Sequence, residues 1–128
     1  MLAVTPIYAS LLTFLFLWLS YRVVLGRRTL KISIGDGDDK AMIKRMRVQA
    51  NAAEYIPFGI LMMAFAEFQG MPAHWLHACG VLFLLGRVLH AIGLGSTPQR
   101  IWARFWGMWL TIGILVLLAL SNLFHALY

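Results

Sequence analysis

A chain of 128 residues that is 61% hydrophobic and only 12% charged is not built as a water-soluble domain. Such domains carry roughly half apolar and about a quarter charged residues. The net charge of +6 does not indicate a nucleic-acid binder either, because the cations flank apolar stretches and form no soluble basic face. The composition is that of a membrane protein, and apolar runs of span length make the chain a single all-α integral membrane domain.

Four helices are predicted, over about residues 5–25, 40–68, 73–94 and 101–127, and the apolar segment of each, 5–25, 50–68, 73–94 and 105–127, is near the roughly 20 residues that cross about 30 Å of hydrocarbon. In the second and fourth helices the strongly apolar part begins near 50 and 105. The first has no basic residue ahead of its apolar stretch and runs past the length of a signal-peptide core, so it is expected to be retained. The connection that follows, GRRTLKISIGDGDDKAMIKRM, is the one long polar segment. Its Gly35 and Gly37 permit positive φ, and Asp38 or Asp39 can cap the next helix. Turn and cap duty for Asp36, Asp38 and Asp39 is preferred to a calcium loop, which needs more ligands and a closing glutamate.

Pro57 removes a backbone donor inside the second helix, so a kink is expected there. Short breaks at Gly70–Pro72 and Gly93–Arg100 make successive helices antiparallel neighbours. Cys79, the single cysteine, has no partner for an intrachain disulfide and reads as a small apolar packing residue. Trp18, Trp75, Trp102, Trp106, Trp109 and Tyr128 read mainly as aromatic belts at span ends. His74, His77 and His125 lack ligand spacing, so no metal site is expected. All 11 Lys and Arg fall around the first and third connections. The positive-inside rule then puts those connections in the cytoplasm and both termini on the other side.

One segment conflicts with burial in lipid. RVQANAAEYIP, Arg47–Pro57, heads the second apolar run yet carries an arginine, an asparagine and a glutamate. In a helix, Arg47, Asn51 and Glu54 are spaced +4 and +3 and share one stripe, with Tyr55 beside it. A charge at the centre of a lipid-exposed helix costs about 2.5–3.5 kcal/mol even on an insertion scale, so the stripe must face protein, water or a polar ligand. Arg47 and Glu54 lie roughly 10 Å apart along the axis, too far to pair directly. The third helix offers Arg87 and His90 in GRVLH, one turn apart, and an Arg87 to Glu54 pair is expected. Helix glue explains such a set in part. Two arginines, an asparagine, a glutamate, a tyrosine and a histidine at one end of a bundle better suit a zwitterionic or polyanionic ligand.

These residues resemble the second-helix signature of the MAPEG superfamily, the membrane-associated proteins in eicosanoid and glutathione metabolism. That signature reads Arg-x-x-x-Asn-x-x-Glu, commonly followed by an aromatic residue and a proline. Arg47, Gln49, Asn51, Glu54, Tyr55 and Pro57 match its fullest version, and the resemblance extends over the whole chain, most closely to short bacterial members. It implies a homotrimer of four-helix subunits in the bacterial inner membrane, with glutathione bound between subunits near the cytoplasmic face. It also implies transfer of that thiol to lipophilic electrophiles, or reduction of them, without a metal. By the same resemblance Arg47 would meet a glutathione carboxylate, Asn51 its amide region and Glu54 its α-amino group. Tyr55, Gln49 (from a neighbouring subunit), Arg87 and His90 would complete the pocket.

The family's thiolate-stabilising arginine lies near the start of the fourth helix, often before a serine. Here Arg104 and Arg100 both stand near that place, with Phe105 and Ile101 after them. Arg104, with GM at Gly107 and Met108 soon after it, is the first choice and Arg100 the alternative. The third-helix tyrosine of the family is replaced by Leu94. Some members keep the fold without glutathione chemistry, so a non-catalytic lipid-binding or scaffold protein is a second reading. A small proton-coupled exporter is a third, weakened because the first span has no acidic residue.

Overall fold

The computed structural model describes all 128 residues, Met1–Tyr128, as four α-helices: α1 (Thr5–Leu30), α2 (Lys40–Phe68), α3 (Ala73–Gly95) and α4 (Ile101–Leu127). α1 runs five residues past its predicted end. Its last turn carries Arg27 and Arg28, cations that suit the negative end of the helix dipole, and it stops where Lys31 takes a left-handed conformation with φ 55°. Arg27 also ties the following loop down, donating from Nη1 to the Gly35 carbonyl at 2.7 Å.

The loop ends in a cap. Asp39 accepts from the Met42 amide at 2.8 Å, satisfying one of the donors that a helix start leaves free. Asp36 accepts from the Asp38 amide at 2.9 Å and closes the preceding turn. Pro57 lies within α2 without ending the helix.

The helices run up and down, so both chain termini lie at one end of the bundle. There the Glu67 carboxylate, in the last turn of α2, accepts from the amides of Ala3, Val4 and Thr5 and caps α1 from another helix. Asn122, near the end of α4, donates to the Met62 carbonyl at 3.0 Å. At the other end Lys44 of α2 donates to the Ser96 carbonyl and Thr97 hydroxyl, each at 2.9 Å. Each end is thus held by polar bonds between elements distant in sequence.

Between the ends the core is apolar. Leu12, Met42, Met63, Phe83 and Leu118 have no exposed surface. α3 and α4 pack most closely, because glycines stand where the two backbones meet. A Cβ built on Gly107 would lie 2.7 Å from the Gly86 carbonyl oxygen and 2.8 Å from the His90 Cα. One on Gly93 would lie 2.7 Å from the Arg104 Cα. Small residues permit such approach between membrane helices, where packing and not water exclusion drives association. This seam sets the spacing of His90 and Arg104.

The outer surface is apolar. Phe14, Leu17, Phe58, Phe65, Val116 and Leu120 are among many large hydrophobic side chains left exposed. α1, α3 and α4 are each long and apolar enough to cross a membrane. α2 is longer than α1, but its polar stripe keeps it outside that group.

Candidate functional site

A cleft of about 610 Å³ opens beside the α3–α4 seam at the end of the bundle away from the termini. Its polar side is made by Arg47 and Asn51 of α2, His90 of α3 and Arg104 of α4. The +4 step from Arg47 to Asn51 and the glycine contacts of α3 with α4 bring these four together from three helices. No Asp or Glu lines the cleft. The other side is apolar, formed by α4 residues in +4 rows: Phe105 and Trp109, Met108 and Ile112.

Behind Asn51 lies Arg87, only 1% exposed and the largest fully buried side chain of the protein. Its Nη2 donates to Asn51 Oδ1, its Nη1 to the Thr111 hydroxyl at 3.4 Å, and its Cζ lies 5.4 Å from the centroid of the Tyr55 ring. Thr111 in turn donates to the Gly107 carbonyl at 2.8 Å. A buried cation needs such a set of acceptors and a π face, since a guanidinium without them leaves its desolvation uncompensated. Its Nε has no partner, and neither does His90 Nδ1.

The Arg87 to Glu54 pair expected from the sequence does not form. Asn51 stands one turn nearer and takes the guanidinium, while Glu54 is exposed and makes no hydrogen bond within the chain. Arg47 is likewise exposed. Gln49 faces away from the cleft, with its Nε2 3.4 Å from the Ser20 hydroxyl of α1. Arg104 donates to Gln99 Oε1 at 3.1 Å and borders the cleft, whereas Arg100 is the cap residue ahead of α4 and does not.

Two contributors escaped sequence reasoning. Thr111 looks like any threonine in an apolar helix, and only tertiary contact reveals it as a partner of Arg87. Trp109, read as part of an aromatic belt, instead walls the cleft. The +4 row it forms with Phe105, next to an arginine row, was the available signal.

The fold and site define an integral membrane bundle with a polar, cation-rich cleft that opens beside an apolar wall. The chain belongs to the MAPEG family, whose model matches residues 5–124. It is 35% identical over 122 residues to the inner membrane protein YecN of Escherichia coli K12, covering 95% of this chain and 92% of that protein. The same identity and coverage hold for YecN of Escherichia coli strain CFT073.

Proposed function

We propose that this protein is a glutathione-dependent transferase or peroxidase acting on lipophilic electrophiles from within the bilayer. The observation that carries this reading is the two-sided cleft, with Arg47, Asn51, His90 and Arg104 facing Phe105, Trp109 and Ile112. Glutathione has two carboxylates and one ammonium. Two arginines in a cleft without acids attract the carboxylates, and Glu54, exposed outside the cleft of one chain, takes the α-amino group where the ligand extends across a subunit interface. Asn51 is held by Arg87 and presents its remaining amide group to the peptide part of the ligand. Tyr55 and Arg87 act behind Asn51 as positioning residues, and Gln49 reaches the ligand from a neighbouring subunit.

Arg104 is the catalytic residue in this reading. A free thiol has a pKa near 8.5, so it is mostly protonated at neutral pH. A neighbouring guanidinium favours the thiolate, and about 1.36 kcal/mol of such stabilisation raises the ratio of thiolate to thiol tenfold. The thiol proton passes to water, and the thiolate sulfur forms a bond to an electrophilic carbon whose apolar body rests on the α4 wall, while the bond from that carbon to its leaving group breaks and the group departs as an anion. Substrate partitioned into lipid reaches that wall without crossing water.

The working unit is a homotrimer. Support comes from Arg47 and Glu54, two exposed charges on the α2 stripe that lack partners in one chain, and a neighbouring subunit would enclose the site. Within that assembly α2 is a fourth span, its stripe shielded from lipid. The basic end of the bundle faces the cytoplasm and both termini face the opposite side, in the inner membrane named for the Escherichia coli relatives.

Glutathione binding to the purified protein, followed by the ultraviolet absorbance of bound thiolate, tests this reading. Glu54→Gln and Arg47→Ala are each expected to abolish binding while the protein stays helical. Unchanged affinity in both variants would remove the pocket assignment. Wild-type protein that does not bind glutathione would favour the lipid-binding scaffold.

A further inference from the structure

A second basic site lies at the same end of the bundle and shares no residue with the cleft. Arg22 of α1, Lys44 and Arg45 of α2, Gly95 at the end of α3 and Thr97 of the α3–α4 connection surround a pocket of about 130 Å³ floored by Leu19 and Val48. No Asp or Glu lines it. Three like charges from two helices are therefore gathered, half-buried, without an internal counter-ion, an arrangement that repels itself unless an anion is present.

The three cations are positioned by other contacts. Lys44 Nζ is anchored on the Ser96 carbonyl and Thr97 hydroxyl at 2.9 Å each. Arg45 Nη1 donates to the Arg22 carbonyl at 3.2 Å, and Gly26 leaves room for it: a Cβ there would lie 2.7 Å from that nitrogen. Arg22 makes no hydrogen bond through its guanidinium and instead lies 5.1 Å from the centroid of the exposed Trp18 ring. All five of its N–H donors remain for a ligand.

We infer that this pocket binds a phosphate group, presented by the headgroup of an anionic phospholipid. The volume is well below the roughly 300 Å³ at which pockets for whole small molecules begin, and it fits a headgroup. Guanidinium and ammonium groups together are the usual cradle for phosphate. Trp18 places the pocket where amphipathic rings sit, at the level of lipid headgroups. Basic pockets between helices at a membrane surface take such headgroups. A lipid held here would bridge α1, α2 and the α3–α4 connection, the three elements that frame the mouth of the bundle.

The test is native mass spectrometry of the detergent-purified protein titrated with phosphatidylglycerol, phosphatidylcholine or inorganic phosphate. Arg22→Gln and Lys44→Gln are compared with Arg28→Gln, an exposed cation outside the pocket. Preferential retention of phosphatidylglycerol is expected, weakened about fivefold to tenfold by Arg22→Gln and Lys44→Gln and unchanged by Arg28→Gln. Inorganic phosphate binding with the same dependence on the variants, and no preference between the lipids, would keep the phosphate site and assign it a soluble source. Equal weakening by Arg28→Gln, or no dependence on Arg22, would overturn the site. Arg22→Gln removes no hydrogen bond inside the chain, so its result stands even if Lys44→Gln fails to fold.

Discussion

Replacing Gly107 by alanine tests whether the α3–α4 seam sets the geometry of the cleft. The added Cβ would sit 2.7 Å from the Gly86 carbonyl oxygen and 2.8 Å from the His90 Cα. Carbon contacts settle at about 3.5–4.0 Å, so α4 must withdraw by roughly 1 Å. Overpacking of this kind costs about 1–3 kcal/mol, against a gain of about 1 kcal/mol in helix propensity for Gly→Ala. Gly113→Ala is the internal control, since nothing lies within 4 Å of a Cβ there and only the propensity gain applies. Unfolding in mixed detergent, followed by circular dichroism, should rank Gly113→Ala above wild type and Gly107→Ala below it. Arg104, which the proposed function makes the catalytic residue, is one turn from Gly107, and under that proposal a misplacement by 1 Å costs on the order of 10²-fold in rate. The conjugation activity proposed above should therefore fall further in Gly107→Ala than its lost stability accounts for. Equal stability of the two variants would refute the claim that backbone contact at this seam is what glycine permits.

Other outcomes follow from single contacts. Asn51→Ala takes the acceptor from a buried guanidinium and should destabilise the bundle by about 1–3 kcal/mol, read by the same unfolding assay. Arg87→Lys should not restore function, because an ammonium cannot bridge Asn51 and Thr111 while lying over Tyr55; glutathione titration of that variant checks this. Glu67→Ala orphans the Ala3, Val4 and Thr5 amides and should cost about 0.5–2 kcal/mol, as loss of a cap does, with faster hydrogen exchange at Val4 and Thr5. Arg104→Ala should abolish the thiolate absorbance of bound glutathione and Arg100→Ala should leave it intact; the reverse would move the catalytic role to Arg100.

Much of the architecture was legible in the chain because lipid is an unforgiving solvent. Apolar runs of span length, glycine and proline breaks, and cations gathered at two connections leave few arrangements open. A cap at Asp38 or Asp39 was readable from their place before the second helix, with Asp39 selected by the structure, and the Arg47, Asn51, Glu54 stripe was readable from its +4 and +3 steps. The apolar stretch of the first helix ends near residue 25, ahead of Arg27 and Arg28, and the stretch alone does not show where the helix stops. Arg27 and Arg28 lie in the last turn of a helix that continues past the apolar stretch.

Helical spacing along α2 already required a polar stripe to be hidden from lipid, since a lipid-facing position does not tolerate it. Which residues would hide it was decided only by tertiary structure. Arg87 takes Asn51 and Thr111 in place of Glu54 because the α3–α4 glycine seam brings Thr111 close, and backbone approach of that kind depends on three residues on two helices at once. The same seam puts Arg104 on the cleft and leaves Arg100 outside it. Helical periodicity is local and can be read along one chain. The meeting of two helix faces is set by packing between them, and no single stretch of sequence contains it.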